Sequence, residues 1–244
     1  MKSILVTGAS SGIGRATAQL FLDSGWCVGL VARNEAALHE LAGDAQNAVV
    51  LPADVTDPEG IERSVETFAK SAGRLDVIFN NAGVFKKAAP IDEIAVSDWM
   101  EAVDVNLTGM FLTARAAFSV MRRQTPQGGR IINNGSISAH VPRPGSASYT
   151  ATKHAVTGLT RSISLDGRPF DIACGQIDIG NALTPMVQSF NDKALAEDPN
   201  AELQPTMDVH HVATSVLHMA ELTLDTNVQF MTVMATKMPY IGRG

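Results

Sequence analysis

Tyr149 and Lys153, in the stretch "SYTATKHAV", stand four residues apart. On a helix, residues i and i+4 share a face, so this spacing sets an ammonium beside a phenol, a group that ordinarily loses its proton near pH 10. An ordinary surface pair has the same spacing, and the rest of the sequence must decide between the two. A second candidate is "TGASSGIG", Thr7 to Gly14. Gly8 suits a tight turn, Gly12 lets backbone approach a pyrophosphate, and Gly14 lets a helix pack closely on a strand, with the helix N-terminus offering free N–H groups to the anion. Ser10, Ser11 and Ile13 fall in the same loop. The spacing G-x-x-x-G-x-G differs from the commoner G-x-G-x-x-G, but the mechanics are the same. Glycine-rich turns also merely connect elements; a place between a first strand and a first helix favours a dinucleotide.

Those residues need a scaffold that brings them together, and the apolar pattern supplies one. "SILVTG", "CVGLVA", "AVVLPA", "LDVIFN", "RIINNGS", "DIACGQI" and "VQFMTVM" are short apolar runs without alternation, as in strands buried on both faces. Helical spacing follows most of them: Ile13, Ala16, Thr17, Leu20 and Phe21 share one face, and a long helix is predicted from about Ser97 to Arg123, with another near Asp208 to Glu221. The pattern predicts an α/β fold, a doubly wound parallel seven-stranded sheet in a single domain over residues 1–244. Ligands of such sheets bind at the carboxyl ends of the strands.

The residues there are informative. After the second strand comes "VARN", with Ala32 and Arg33 where a carboxylate would bond the ribose hydroxyls of NAD; a cation favours the 2′-phosphate of NADP. A plain solvated Arg33 is the other reading. After the third strand, "ADV" offers Asp54, placed to accept from an adenine amino group, followed by Val55. After the fourth, "NNAG" puts Asn80, Asn81, Ala82 and Gly83 where a cofactor passes close to backbone, although Asn80 can equally cap a turn.

Composition removes other classes. The 244 residues are 45% apolar, enough for one large core, and the net charge of −6 without a basic stripe argues against nucleic acid. No apolar run reaches the roughly 18 to 20 residues of a spanning helix, and "MKSILVTGAS" runs straight into a strand without a cleavable signal, so no membrane role and a cytoplasmic location are expected. Cys27 and Cys174 sit in apolar segments and read as buried small hydrophobes without a disulfide. No metal site is expected: His210 and His211 are adjacent and cannot share a helix face, and the other four histidines are scattered.

Taken in order, "TGASSGIG", "ADV", "NNAG", "VNLTG", "INNGSIS", "YTATK" and "IGNALT" resemble the short-chain dehydrogenase/reductase family over nearly the whole chain. The resemblance implies hydride transfer between a nicotinamide and a carbonyl or alcohol carbon. It implies Tyr149 as general acid/base, Lys153 as its partner and a holder of the nicotinamide ribose, Ser136 as the residue orienting the substrate oxygen, and Asn106 as holder of a water that links the lysine to solvent. It further implies that Gly180 and Thr184 contact the carboxamide and phosphate. A phenol acting near neutral pH must shed roughly three pKa units, about 4 kcal/mol, and an adjacent ammonium together with a cationic oxidised nicotinamide supplies that order of stabilisation.

The chain departs from the family in two places. Ile179 replaces the usual proline before Gly180, which frees φ and restores an N–H beside the nicotinamide. The tail "MATKMPYIGRG" lacks the frequent glycine-ended closing strand, and Tyr240, without a lysine partner, reads as packing. Substrate identity lies in variable loops. His140 and Arg143 in "SAHVPRPG" read as loop caps sooner than as contacts to an anion. The polar stretch of about 185–205 reads as a lid in which Met186, Val187 and Phe190 face substrate.

The expected function is an NADP(H)-dependent oxidoreductase acting on a small-molecule carbonyl or alcohol. The alternative is an NADP(H)-binding sensor with the same fold and little turnover, which would most naturally carry a broken catalytic set. A nucleotide-sugar epimerase or dehydratase would need a longer chain. Small and apolar residues on more than one face of the Ser97–Arg123 and Tyr149 helices predict a homo-oligomer, and the resemblance suggests a dimer or tetramer that pairs them across a two-fold axis.

Overall fold

The computed structural model describes residues 1–241. The seven apolar runs form the seven strands of one parallel sheet. They are β1 Ser3–Thr7, β2 Cys27–Ala32, β3 Ala48–Pro52, β4 Val77–Asn80, β5 Gly129–Asn134, β6 Ile172–Ile179 and, after two short strands described below, β9 Phe230–Val233. Their spatial order is β3-β2-β1-β4-β5-β6-β9. Chain order therefore reverses between β1 and β4, which opens a crevice beyond their carboxyl ends.

Helices cover both faces because each carries one apolar stripe. Helices α1 (Gly12–Asp23), α2 (Glu35–Ala42) and, near the end of the chain, α8 (Val209–Glu221) bury theirs on one side of the sheet around Phe21, Leu38 and Val216. On the other side α3 (Pro58–Ala72), α5 (Gly109–Arg123) and α6 (Ala147–Gly167) close over Val65, Phe68 and Ala117. Asn34 caps α2 by accepting from Ala37 N–H, and Asp208 caps α8 by accepting from His210 N–H, each satisfying a donor with no intrahelical partner. Helix α3 starts at Asp57 with Pro58 in its first turn and ends on Gly73 at φ 83°, a left-handed stop that glycine adopts without strain.

The stretch expected as one helix from about Ser97 is divided. Helix α4 (Val96–Val103) runs into a single π-type turn, Asp104–Thr108, before α5 begins. The wider turn carries Asn106 inward and buries it completely. There its side chain accepts from Val84 N–H at 2.7 Å and donates to Val84 C=O at 2.9 Å, satisfying both backbone groups of one residue on a neighbouring loop. Helical periodicity has no term for that pairing.

A second departure is a two-residue parallel ladder, β7 (Ala182–Leu183) with β8 (Met207–Asp208). It closes the neck of the stretch expected as a lid, whose first part is helix α7 (Pro185–Glu197), none of whose residues is buried. Near the carboxyl end, Tyr240 packs with Met234 against a small cluster of Ile137, Ala235 and Met238. The last three residues of the "MATKMPYIGRG" tail lie outside the described residues.

The buried thiol of Cys174 is pushed up to about 12 by desolvation. Among the described residues, no helix is long and apolar enough to cross a membrane.

Arg130, at the amino end of β5 and so away from the crevice, is buried, and among the described residues no carboxylate pairs with it. Its Nη1 donates to Asn227 Oδ1 at 2.9 Å, and its Nη2 donates to the carbonyls of Leu222 (3.1 Å), Thr223 (3.0 Å) and Thr226 (2.9 Å). Burial pushes its guanidinium below the ordinary arginine value, and the carbonyls that close α8 hold the charge. Arg130→Met leaves those carbonyls without their donor and is expected to lower the unfolding free energy by about 3 to 5 kcal/mol. Urea denaturation measures this; a loss below about 1 kcal/mol would mean the carbonyls find water instead.

Candidate active site

The crevice is a cleft of about 420 Å³ floored by the loop after β1. Gly8 (φ 68°) and Gly12 (φ 53°) take left-handed backbone there. A Cβ on Gly14 would lie 2.2 Å from Gly8 C=O and 2.6 Å from Asn81 Nδ2, so α1 seats directly on the loop. Helix α1 carries no acidic residue in its first turn, and its N-cap Ser11 makes no side-chain capping bond. Its N-terminus thus presents positive dipole to the cleft. Gly8, Ser10, Ser11, Gly12 and Ile13 all line the space.

At the end of β2, Ala32, Arg33 and Asn34 form one wall, and Asp54 and Val55 after β3 form the next. Arg33 Nη1 lies 3.7 Å from Asp54 Oδ2, with both side chains well exposed. Desolvation pushes the Asp54 carboxyl up, but hydrogen bonds from Thr56 N–H and Oγ1–H and the Arg33 charge outweigh it and hold the group below its ordinary value. The Thr56 bonds both go to Oδ1, so Oδ2 faces the cation.

Beyond β4, Asn81, Ala82 and Gly83 line the cleft together with Val84 and Phe85. The strand ends are stitched. Thr7 Oγ1 accepts from the N–H groups of Asn81 (2.9 Å) and Ala82 (3.0 Å), and Asn81 Nδ2 donates back to Thr7 C=O at 2.9 Å. Asn134, at the end of β5, donates from Nδ2 to Asn81 Oδ1 at 2.8 Å. Its carbonyl accepts from Lys153 Nζ at 2.7 Å.

Lys153 and Tyr149 both line the cleft from α6. Lys153 is 3% exposed, and its Nζ sits 5.5 Å from the centre of the Tyr149 ring. That ring meets Phe85 edge-on at 5.1 Å, and Phe85 in turn meets Phe190 of α7 at 6.2 Å. Ser136 follows β5 and caps the short turn Ile137–Ala139, its Oγ accepting from Ser138 N–H at 3.1 Å. Among the described residues nothing accepts the Ser136 hydroxyl proton. Thr184 caps α7 through Val187 N–H, and its Cγ2 would lie 3.3 Å from a Cβ on Gly12, so α7 starts against the glycine loop.

Of the residues singled out from sequence, Gly14, Asn80, Asn106, Ser136, Ile179 and Gly180 are not part of the cleft wall, while the others named for catalysis or cofactor are; Asn80 is buried in β4 and donates to Met110 C=O. Ile179 is buried within β6 opposite Val233, and Gly180 N–H donates to Val233 C=O at 2.8 Å; the strand continues to Ile179 where the family's proline would remove a donor. His140 and Arg143 are engaged as loop braces, His140 Nε2 at 2.8 Å from Asp178 Oδ2 and Arg143 Nη2 at 2.9 Å from Asn181 Oδ1. Of Met186, Val187 and Phe190, only Met186 lines the cleft. Asn134 and Phe85 were not singled out as site residues in the sequence. The place of Asn134 at the carboxyl end of β5 was its signal, but its carbonyl, not its side chain, meets the lysine. Among the described residues no three His, Cys, Asp or Glu side chains gather as a metal cage.

The family profile described as short chain dehydrogenase matches residues 2–195. A 3beta-hydroxysteroid dehydrogenase of Mediterraneibacter gnavus is 34% identical over 194 residues, 77% of this chain and 68% of that protein. A 3-ketoacyl-(acyl-carrier-protein) reductase from Brucella melitensis, solved with NADH, superposes with a TM-score of 0.84 at 24% identity over 96% of each chain. A serine dehydrogenase solved in a closed form with NADP+ superposes with a TM-score of 0.88 at 24% identity, over 99% of this chain and 98% of that one.

Proposed function

The chain belongs to the short chain dehydrogenase family, and from that premise we propose that it is an NADP(H)-dependent oxidoreductase interconverting a carbonyl and a secondary alcohol, with Tyr149 as general acid/base. The observation that carries the reading is Lys153: an ammonium buried to 3% exposure, one turn beyond Tyr149, in the wall of a cleft floored by a glycine loop. The cradle of Gly8, Gly12 and Gly14, the uncapped start of α1 and the cation at the end of β2 fit a dinucleotide, with Arg33 on the 2′-phosphate and Lys153 on the nicotinamide ribose. A bound nicotinamide would supply or accept the hydride.

The chain's own groups manage the oxygen and its proton. Ser136 Oγ already accepts from Ser138 N–H, so its hydroxyl proton is available to the substrate oxygen. Tyr149 donates to the same oxygen, polarising the carbonyl, and then releases its proton to the forming alcohol. The positive charge of Lys153 stabilises the phenolate left behind. Asn106, locked onto Val84, keeps the π-type turn beside α6 in place. Phe85 and Met186 give the substrate side an apolar wall, with Phe190 behind Phe85.

Three outcomes test the reading. Tyr149→Phe is expected to lower NADPH-dependent carbonyl reduction below about a tenth of wild type, at least about 1.4 kcal/mol of barrier, with cofactor affinity nearly intact, whereas Lys153→Ala lowers both. Retained turnover in Tyr149→Phe would require another general acid. Tight NADPH binding with no turnover of any ketone, keto acid or aldehyde would make the protein a cofactor sensor.

NADPH is expected to bind about ten- to hundred-fold more tightly than NADH, since one charge-assisted contact from Arg33 contributes roughly 1.5 to 3 kcal/mol. The exposed Arg33–Asp54 pair at 3.7 Å competes only weakly. Ala32→Asp with Arg33→Ile is expected to reverse the preference in fluorescence titrations; equal dissociation constants in the unmutated protein would return Arg33 to the solvent.

We also propose a homo-oligomer built on α5 and α6. An apolar groove between them is bordered by Phe111, Phe118, Leu159, Ile163, Leu165 and Phe170, with Phe111 48% and Leu165 59% exposed. Analytical ultracentrifugation is expected to give a dimer or tetramer of the 25.9 kDa chain and a shift to monomer in Leu165→Arg. A clean monomer of the unmutated protein at micromolar concentration would rule this out.

A further inference from the structure

Asp178 lies near the end of β6 with 1% of its surface exposed, and nothing in the reaction proposed above employs it. Both of its carboxyl oxygens are occupied. Oδ1 accepts from Ser136 N–H at 3.0 Å and from Gln176 Nε2–H at 2.7 Å, while Oδ2 lies 2.8 Å from His140 Nε2. Ser136 and His140 are the two ends of the turn Ile137–Ala139. One buried carboxyl group therefore grips both ends of the turn that presents Ser136. Gly135 is the residue that allows it, because a Cβ there would lie 2.0 Å from Asp178 Oδ1. A carboxylate only accepts, so the ring nitrogen of His140 that faces it carries a proton, and the neutral ring is the Nε2–H tautomer.

The grip continues into the fold. Gln176 Nε2 also donates to Thr157 Oγ1 at 3.0 Å, and Gln176 Oε1 accepts from Thr160 Oγ1–H at 3.0 Å. Thr160 Oγ1 in turn accepts from Asn133 Nδ2–H at 2.9 Å. Thr157 and Thr160 belong to α6, the helix of Tyr149 and Lys153. The turn of Ser136 is thus fastened to Asp178 and the helix of Tyr149 to Gln176, and these two side chains of β6 are bonded to each other. A buried network of this kind is worth little as net stability compared with apolar packing, but fully satisfied it holds a single arrangement.

We propose that Asp178 is a positioning residue that, through Ser136 N–H and His140, fixes the Ser136 hydroxyl against that of Tyr149 so that both reach one substrate oxygen. The inference rests on the roles given to Ser136 and Tyr149 above.

A double-mutant cycle on the full chain tests it. Asp178→Asn is expected to lower kcat about 10- to 100-fold with the NADPH dissociation constant unchanged, and to lower kcat less than about twofold further once Ser136→Ala is present. Equal fold losses in both backgrounds would overturn the proposal, since Asp178 would then act independently of Ser136. His140→Leu is expected to lower kcat about tenfold and His140→Gln, whose amide can still donate to Asp178, to restore most of it; should Asp178→Asn fail to fold, equal activities of these two variants would overturn the proposal instead. Amide hydrogen exchange in the cofactor-free protein separates this inference from the enzymatic reading. Ser136 N–H is expected to exchange at least about tenfold faster in Asp178→Asn, or in His140→Leu, than in the wild type. Equal rates would sink the grip itself. Turnover that survives Ser136→Ala would sink the catalytic set while leaving the grip to be judged by exchange.

Discussion

A lysine ammonium buried to 3% exposure sets the terms for the rest of the site. Removing a cation from water is costly unless fixed acceptors replace the lost hydration. The acceptor here is the Asn134 carbonyl at 2.7 Å, and it is useful only if the end of β5 cannot drift from α6. Asn134 is held by Asn81, and Asn81 by the backbone of Thr7, the residue before the first glycine of the loop. The cation thus ends a chain of hydrogen bonds that begins at the glycine loop and crosses three strand ends. Loop and helix, more than a hundred residues apart in sequence, become one rigid wall.

The same logic explains an interior that is apolar in the middle of the sheet and polar at one end of it. Ile4, Leu5, Ile78, Ile131 and Ile132 are fully buried, whereas Asn80, Asn133, Asn134, Gln176 and Asp178 occupy the carboxyl-terminal halves of their strands. Each of these amides or carboxyls has a partner: Asn80 Nδ2 donates to Met110 C=O at 2.7 Å, tying β4 to α5, and Gln176 ties β6 to α6. Apolar side chains of equal volume would stabilise as much or more, but would not select one register of helix on strand. The opposite end of the sheet uses Arg130 for a different task, fastening the start of β5 to the close of α8. Polar burial at the two ends therefore serves two separate purposes.

The strands were legible because each apolar run is short and most stop at Gly, Asn, Asp or Ser, and the glycine loop was legible because three glycines between a strand and a helix have few other uses. The Tyr149–Lys153 pair was legible as a spacing, though its chemical reading needed the resemblance and the neighbouring motifs. What stayed hidden depends on contacts between distant residues. The π-type turn at Asp104–Thr108 has the same apolar spacing as a continuous helix, and only the Val84 backbone, 22 residues away, reveals why Asn106 turns inward. Asp178 reads as a strand residue until Ser136, 42 residues earlier, is found against it. His140 and Arg143 were read as caps of their own loop, but the partners found here, Asp178 and Asn181, lie on and just after β6.

The cover of the cleft is built on a different principle from its walls. Helix α7 buries none of its residues and is joined at its base to β8 by the two-residue ladder. Among the described residues it also meets Gly12 at the start of the helix and Phe85 through the edge of Phe190. An element with so little buried surface separates from a fold at lower free-energy cost than one such as α5, whose inner face is packed between α3 and the sheet. Yet these contacts of α7 fall on the glycine loop and, through Phe85, on the ring of Tyr149. Any displacement of α7 is therefore felt both at the glycine loop and at that ring, while the Lys153–Asn134–Asn81–Thr7 chain beneath stays fixed. A rigid wall and a lightly held cover that meet at the glycine loop and at Phe85 let the cover shift without loosening the hydrogen-bonded groups of the wall.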